Sequence, residues 1–566
     1  MKNSKRLLVI CLSVVLVLTF ALAGCGDNGD TTDRGDGVDD VDGGDGGSDD
    51  IMTLSTFISR AGSNPTSDNR IYNKIRDEFG VEFEFEFVVG EISERVGTMT
   101  AGGEYPDLLG VQSNEANQFI DAGAFIPLQD YINDAENYPN LNEHYGELIN
   151  RISHDDDNVY IMPNYGVHYG TVHQNENWGP SFWIQNEVLR EFDYPELTTL
   201  DDYFDIIQEY MELYPEIDGQ KTEGFVVLTD RGMDWTLRNA PAHLAGAPND
   251  GIVIVDQDDY TAEIFQDKET SRKYYKKLNE MYNAGVVDGE SFVMNYDQYR
   301  GKLASGAVLG LFDQRWNFNE ANVSLREQGK EERIFAPAPI VHDESITDWY
   351  LTRPELNVNS GFAISTNAED PDRIMQFFEA MLDEDWQITL QWGEEGVDYL
   401  VDDDGIFYRE PEMRNNQEDN QWRLANQARD LLEFMPKMEG TLSCGNATSA
   451  GQQPEEYFAG LTESEQELYE AYGVQTQGQM YSDPPENPMY FPAWNINVPN
   501  NSPPDMAAQA LQDIAFEYLP SIITANPGEF DQKWEEFLEA HENIDVDAFE
   551  EHITEGVQRR MEEWTK

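Results

Sequence analysis

The cysteine at position 25 is the residue whose neighbours most clearly specify a reaction. It follows Leu22, Ala23 and Gly24, so the peptide bond before the thiol is flanked by small residues. Small residues let a signal peptidase approach the backbone, and the freed cysteine can take a diacylglycerol on its sulfur. We therefore predict cleavage after Gly24 and lipidation of Cys25.

The residues before this cysteine have the layout of a secretory signal. Lys2, Lys5 and Arg6 precede an apolar run over residues 7–23. The run is near the lower limit for spanning a bilayer, so a retained membrane helix is the alternative. Residues 22–25 match the lipobox of bacterial lipoproteins, which favours a signal peptide over residues 1–24. Acyl chains on Cys25 would then anchor the protein to the outer face of the cell membrane.

Residues 25–50 are predicted to be a disordered acidic tether. They are rich in Gly and Asp and carry almost no apolar side chain. Such a segment cannot bury enough apolar surface to offset the entropy lost on ordering. Calcium binding is the alternative for repeated Asp-Gly, but the spacing fits no loop with a ligand at every second position.

The remaining reactive side chains form no recognised catalytic or metal-binding pattern. The eight histidines show no HExxH spacing, and the chain has no GxSxG turn or phosphate loop. Cys11 leaves with the signal and Cys444 has no partner for an intramolecular disulfide. We expect a protein that is not an enzyme and that has no cofactor or metal. A secreted polysaccharide-degrading enzyme is the alternative.

The charge of the chain excludes one class of partner. There are 36 Lys and Arg against 109 Asp and Glu, a net charge of −73. Phosphate binding needs a basic surface, so nucleic acid is not expected to bind. A uniformly acidic surface keeps a protein soluble, and we expect a monomer.

The pattern of apolar residues after position 50 predicts alternating strands and helices. Residues 81–89 (VEFEFEFVV) alternate strictly, as a strand does. A helix is predicted over residues 69–79, and Thr199 with Asp202 predicts a capped helix start. Residues 333–341 contain two prolines and are predicted to be a crossing. Further strands are predicted at residues 51–59, 106–111, 225–228, 251–255, 308–312 and 360–365, in the segment that ends at residue 163, and from Trp183 onward. Further helices are predicted at residues 92–100, 117–122, 127–133, 371–382 and 547–564. This order implies an α/β fold with parallel strands.

Several segments resemble, in order, the oligosaccharide-binding lipoproteins of ABC importers, which are extracellular solute-binding proteins of family 1 type. The resemblance covers most of the chain after the tether. The segments that carry it are residues 64–89, 101–109 (AGGEYPDLL), 123–131 (GAFIPLQDY), 159–163 (VYIMP), 182–189 (FWIQNEVL), 198–203 (TTLDDY) and 392–399 (WGEEGVDY).

This resemblance implies an α/β fold with two lobes and an interlobe hinge, of the type II periplasmic-binding-protein class. By analogy, lobe 1 holds residues 51–165 and 335–410. Lobe 2 holds residues 166–334 and 411–540, followed by a C-terminal helix over residues 541–566. The ligand would sit in the cleft at the carboxyl ends of the strands.

The resemblance also implies a sugar site, for which the loops near the lobe edges supply candidates. Aromatic rings stack on the apolar face of a sugar, while amides, carboxylates and arginines bond its hydroxyl groups. The predicted ligand-binding residues are Asn114, Trp178, Asp234, Trp235, Arg315, Trp316 and Trp494. Core packing is the alternative for each tryptophan. Arg231, Arg315 and Arg353 could pair a ligand carboxylate or form surface ion pairs.

One segment departs from relatives that carry a calcium loop after the helix that follows Thr199. Residues 214–223 keep Asp218 and Glu223 but lack alternating oxygen ligands, so we predict a simple turn. The function implied is capture of an oligosaccharide and delivery to the transmembrane subunits of an ABC permease. A binder of the same fold with another ligand, such as a peptide, is a further alternative.

Overall fold

The computed structural model describes residues 51–154, 156–230, 232–233, 235–352, 356, 358–484 and 493–564. The predictions for Cys25, the signal peptide and the tether lie outside these residues. The strands are β1 Met52–Ile58, β2 Val81–Phe87, β3 Leu108–Val111, β4 Met162–Pro163, β5 His168–Tyr169, β6 Pro180–Gln185, β7 Glu216–Ile217, β8 Gln220–Lys221, β9 Glu223–Val226, β10 Val253–Val255, β11 Ala262–Ile264, β12 Val308–Gln314, β13 Phe335–Ala338, β14 Gly361–Ile364, β15 Leu400–Val401, β16 Phe407–Tyr408 and β17 Glu439–Gly440.

The helices cover the sheets and make up most of the chain after β14. They are α1 Arg70–Phe79, α2 Ile92–Gly102, α3 Ser113–Asp121, α4 Gln129–Asn133, α5 Pro139–Tyr145, α6 Ile149–Ile152, α7 Asn186–Glu191, α8 Leu200–Leu213, α9 Trp235–Arg238, α10 Ala240–Leu244, α11 Glu269–Asn283, α12 Tyr296–Leu303, α13 Arg315–Glu327, α14 Pro371–Met381, α15 Glu384–Gln391, α16 Pro411–Glu418, α17 Asn420–Asn426, α18 Arg429–Phe434, α19 Pro454–Ala459, α20 Glu463–Tyr472, α21 Pro503–Ile523, α22 Phe530–His541 and α23 Val546–Trp564. Of the helices in the described ranges, none is long and apolar enough to cross a bilayer.

The first lobe is organised around a five-stranded sheet in the order β2-β1-β3-β14-β4. β1 pairs in parallel with both β2 and β3, as the strand-helix-strand pattern predicted. The alternation of β2 has a structural cause at this sheet edge. Phe83 and Phe85 pack on Tyr72 of α1, with ring centroids 5.9 and 5.6 Å apart, whereas Glu86 on the other face pairs with Arg95.

The second lobe is organised around a four-stranded sheet in the order β13-β6-β12-β9. β12 is parallel to β9 and antiparallel to β6, and its core includes Phe182, Tyr203 and Phe225. The predicted capping box of α8 is confirmed, because Thr199 and Asp202 each accept a backbone hydrogen bond from the other residue. The α/β fold with two lobes is therefore confirmed.

The prediction that residues 333–341 form a crossing is wrong for Phe335–Ala338, which form strand β13. β13 pairs with β6, with Pro337 opposite Trp183. β13 lies at the edge of its sheet. A proline has no N–H to donate, and an edge strand tolerates this because no further strand pairs with its outer side. The hydrogen bonds thus join β13 to the second sheet, although the expected boundary at residue 335 assigns it to lobe 1.

The chain passes between the two sheets three times. It passes from β4 to β6, returns from β13 to β14, and leaves the first core again after α18, whose Phe434 packs on Phe362. This last exit lies beyond the boundary expected at residue 410. Two crossings touch each other, because β5 pairs in parallel with β17. Gly440 has φ of 110°, and a Cβ there would lie 2.1 Å from the Tyr169 carbonyl oxygen.

Candidate functional site

Strand ends of the second sheet bring four of the predicted site residues together. β9 and β12 are parallel and end at the same edge, and Gln314 at the end of β12 lies opposite Pro180 at the start of β6. The Arg315 and Trp316 amides point to the Gly179 and Trp178 carbonyl oxygens, at 3.2 and 3.5 Å. The ring of Trp235, in the helix after β9, lies 5.8 Å from that of Trp316.

Arg315 lies beneath the ring of Trp178. Its side chain is buried, and the guanidinium carbon is 4.8 Å from the Trp178 ring centroid. Its Nη1 pairs with Glu176 Oε1 at 2.8 Å, and the Trp178 indole donates to Glu176 Oε2 at 3.1 Å. Burial disfavours the charged guanidinium, but the nearby negative groups, led by the Glu176 carboxylate, together raise the pKa of Arg315. The ion pair therefore holds the orientation of the Trp178 ring.

A cavity of about 470 Å³ lies beside Trp178, and we name it the tryptophan cavity. Its wall includes Trp178, exposed by 46%, and Trp494, exposed by 47%. Because these two indoles are half exposed, the core-packing alternative does not describe them. Amide side chains and tyrosines share the wall, and they include Asn175, Asn177, Asn249, Asn495, Tyr165 and Tyr350.

Tyr165 follows β4 in the first sheet, whereas Trp178 precedes β6 in the second. The tryptophan cavity therefore lies between the edges of the two sheets.

A buried carboxylate supports the loop that carries Trp494. Asp250 accepts a hydrogen bond from the Ala493 N–H at 2.8 Å, directly before the tryptophan. Desolvation raises the pKa of Asp250 to about 7. The neighbouring Gly251 has φ of 76°, and a Cβ there would lie 3.2 Å from the Trp494 Cβ. A glycine thus lets the chain pass close behind the indole.

The structure places the other predicted residues less directly. Trp235 and Trp316 form their ring pair beside the tryptophan cavity and are not part of its wall. Asn114 begins α3 after β3, and its side chain is not among the described ones. Asp234, like Arg231 and Arg353, lies outside the described residues.

The sequence analysis missed several polar groups of the wall. Tyr165 stands two residues after β4, so the rule that ligands bind at strand ends could have found it. Asn249 and Asn495 lie in loops without any periodic pattern, and only folding brings them to Trp178.

The segment compared with a calcium loop is a hairpin. β7 and β8 pair across Asp218 and Gly219, which both have positive φ. Asp218 pairs with Lys330 at 3.0 Å and Glu223 with Lys302 at 2.8 Å, so the prediction of a simple turn is confirmed. Within the described ranges, no group of three His, Cys, Asp or Glu side chains is arranged to hold a metal ion.

Comparison with known proteins gives one sequence relative and many structural neighbours. The chain is 25% identical over 440 residues to the polygalacturonan/rhamnogalacturonan-binding protein of Bacillus subtilis (strain 168), covering 74% of this chain and 79% of the relative. No family model matches the chain.

Two solved structures share the fold over nearly their whole length. One is an HMO-binding, ABC-transporter-associated solute-binding protein from Bifidobacterium longum infantis, with TM-score 0.63, 12% identity, and coverage of 92% of this chain and 100% of that one. The other is an ABC-transporter substrate-binding protein of S. pneumoniae in complex with fructo-nystose, with TM-score 0.61, 14% identity, and coverage of 90% and 100%. The resemblance stated from the sequence is confirmed, and the chain has the two-lobed fold of the solute-binding proteins of ABC transporters.

Proposed function

We propose that the protein is the substrate-binding component of an ABC importer and captures an oligosaccharide between its lobes. The observation that carries this proposal is the tryptophan cavity, where half-exposed Trp178 and Trp494 stand among amide side chains. Indole faces can stack on the apolar face of a sugar ring. Amides both donate and accept hydrogen bonds, as hydroxyl groups require.

The proposed mechanism is capture by closure, in which no covalent bond changes. A ligand that contacts both lobes binds the closed form better than the open form and shifts the population toward it. The crossings, with the paired strands β5 and β17, are the segments that would bend. The membrane permease would recognise the closed form and receive the sugar.

The ligand class is proposed from the site and supported by the relatives. The B. subtilis relative is named for polygalacturonan and rhamnogalacturonan, and the B. longum neighbour for HMO. We propose an oligosaccharide rather than a monosaccharide, because about 470 Å³ is within the range of roughly 300–1,000 Å³ that suits drug-sized ligands.

We also propose that the mature protein is a monomer held outside the membrane by lipid on Cys25. The support is the sequence of residues 1–25 and the acidic tether that follows. A tether of this composition would let the lobes move freely near the permease.

A saccharide panel tests the binding proposal. The panel would contain pectic fragments, neutral oligosaccharides and short peptides, and the readout is the melting temperature. A ligand that binds only the folded state stabilises it by RT ln(1 + [L]/Kd), so a saccharide should raise the melting temperature without being consumed. Trp178→Ala should weaken binding about tenfold, in line with an aromatic contact, whereas Tyr408→Ala on the separate ribbon β15–β16 should not.

Other results would overturn the proposal. Release of products from a saccharide would support the polysaccharide-degrading enzyme. A shift with peptides alone would support a binder of the same fold with another ligand.

A further inference from the structure

A second cavity, of about 790 Å³, adjoins the tryptophan cavity. It is bounded on one side by α3, α4 and α6 of the first lobe and on the other by α23. Leu356 and Asn495 belong to the walls of both cavities. The two spaces therefore adjoin at these residues, and a ligand longer than the tryptophan cavity would extend toward the second one.

The wall of this second cavity is less acidic than the chain as a whole. It contains Arg151, Arg559 and Arg560, and we name it the arginine cavity. The whole sequence has 36 Lys and Arg against 109 Asp and Glu, whereas here the three arginines are matched by three aspartates.

The arginines come from two separate helices. Arg151 lies on α6, and Arg559 and Arg560 lie on α23. Arg560 Nη2 donates to the Asn495 carbonyl at 3.1 Å, and Asn495 directly follows Trp494. A ligand that extends past the Trp494 ring would therefore come close to the Arg560 guanidinium, which is bonded to the next residue of the chain.

The rest of the wall carries amide groups, including Asn117, Asn133, Asn150 and Asn497. Amides suit sugar hydroxyls, and the planar guanidinium suits a carboxylate because it can donate two parallel hydrogen bonds. A sugar that carries carboxylates offers both kinds of group.

We propose that the arginine cavity is a subsite for the uronate residues of an acidic oligosaccharide whose other end lies on Trp178 and Trp494. This inference rests on the proposed function and adds the charge of the ligand and its direction in the cleft. A ligand carboxylate that contacts both Arg151 and Arg560 would join α6 of the first lobe to the C-terminal helix α23.

The test compares an oligogalacturonide with its methyl ester, which keeps the shape and removes the charge. Calorimetric titration would use the wild type, Arg151→Gln, Arg560→Gln and the control Arg272→Gln. Arg272 is a suitable control because it pairs with Asp531 at 2.7 Å on the surface. Each cavity variant should lose about tenfold affinity for the acid, as expected for charge-assisted hydrogen bonds. The control should lose none, and ester affinity should be unchanged.

The outcomes separate this inference from the proposed function. If both variants bind the acid and the ester as tightly as the wild type does, the arginine subsite is overturned, while the proposed saccharide site still stands. An equal loss for acid and ester also overturns it, since a structural effect does not depend on ligand charge. Failure of the wild type to bind either saccharide, or any neutral one, overturns the proposed function as well. If a Gln variant does not fold, Arg151→Lys or Arg560→Lys replaces it in the titration, and the melting temperature of each variant shows whether it is folded.

Discussion

At the scale of single residues, charge decides how the site is built. Arg315 was predicted to contact ligand, but the structure places its guanidinium beneath Trp178 with Glu176 as partner. A buried charge without a partner is costly, so an arginine in this position needs that carboxylate. Under the proposed function, Arg315 would act on a ligand through the ring that it supports.

A buried carboxylate beside this site makes stability depend on pH. Asp313 accepts from the Tyr299 hydroxyl and Asn317 amide, both at 2.9 Å, and desolvation raises its pKa to about 7. The folded state therefore holds this proton at pH values where the unfolded state has lost it. Hence the contribution of Asp313 to the free energy of unfolding falls as the pH rises from about 4 to about 7, by up to about 1.4 kcal/mol per pH unit.

Asp313→Asn should remove this contribution. The melting temperature of the variant should fall less steeply than that of the wild type between pH 4 and pH 7. Asp297→Asn, at an exposed aspartate, provides the control. Parallel pH profiles for wild type and Asp313→Asn would contradict the assignment.

At the scale of elements, most boundaries follow from local patterns. The helix predicted over residues 69–79 is α1, and the strand over residues 81–89 is β2. These patterns succeed because a helix face and a strand face each repeat at a fixed period. β13 was missed because proline is read as a breaker, and only sheet position shows that an edge strand tolerates it.

One cap joins two distant elements and gives a prediction at this scale. Asn69 Oδ1 accepts from the Ile71 and Tyr72 amides at 3.0 Å, while its Nδ2 donates to the Leu424 and Gln427 carbonyls at 2.9 Å. Asn69→Ala should lower the free energy of unfolding by more than the ~1 kcal/mol of a cap alone.

Thr462→Ala is the matched control, because it removes a capping box within α20 only. Urea unfolding of both variants gives the comparison. Equal losses would show that the bonds from Asn69 to residues 424 and 427 contribute nothing.

At the scale of the whole molecule, the acidic composition and the sequence before residue 50 bear on where the protein is proposed to work. With 109 acidic and 36 basic residues, the chain is expected to resist self-association by repulsion. Lipid on Cys25 would then be the contact that holds it at a membrane, since anionic lipids repel such a surface.

Cys25→Ser tests this anchor in the full chain. The wild type should incorporate a labelled fatty acid and sediment with membranes, and the variant should do neither. Cys444→Ser, at an exposed thiol in a loop, should behave as the wild type. Membrane retention of the unlabelled Cys25 variant would instead support a retained helix over residues 7–23.

The sequence by itself determined the features that depend on neighbouring residues. These are the caps, the alternation of β2 and the ordered segments that indicate the two-lobed fold, while the signal and lipidation around Cys25 stay predictions. Trp178 and Trp494 could be named as candidates because the loops around them lack the periodic apolar residues that are typical of core segments. Only the tertiary structure decided that these residues, 316 positions apart by their numbers, share one cavity. It also placed Arg315 below the ring and Arg151 and Arg560 in an adjoining space. The reason is that strand register and lobe packing set distances between remote residues, and no local pattern of side chains encodes those distances.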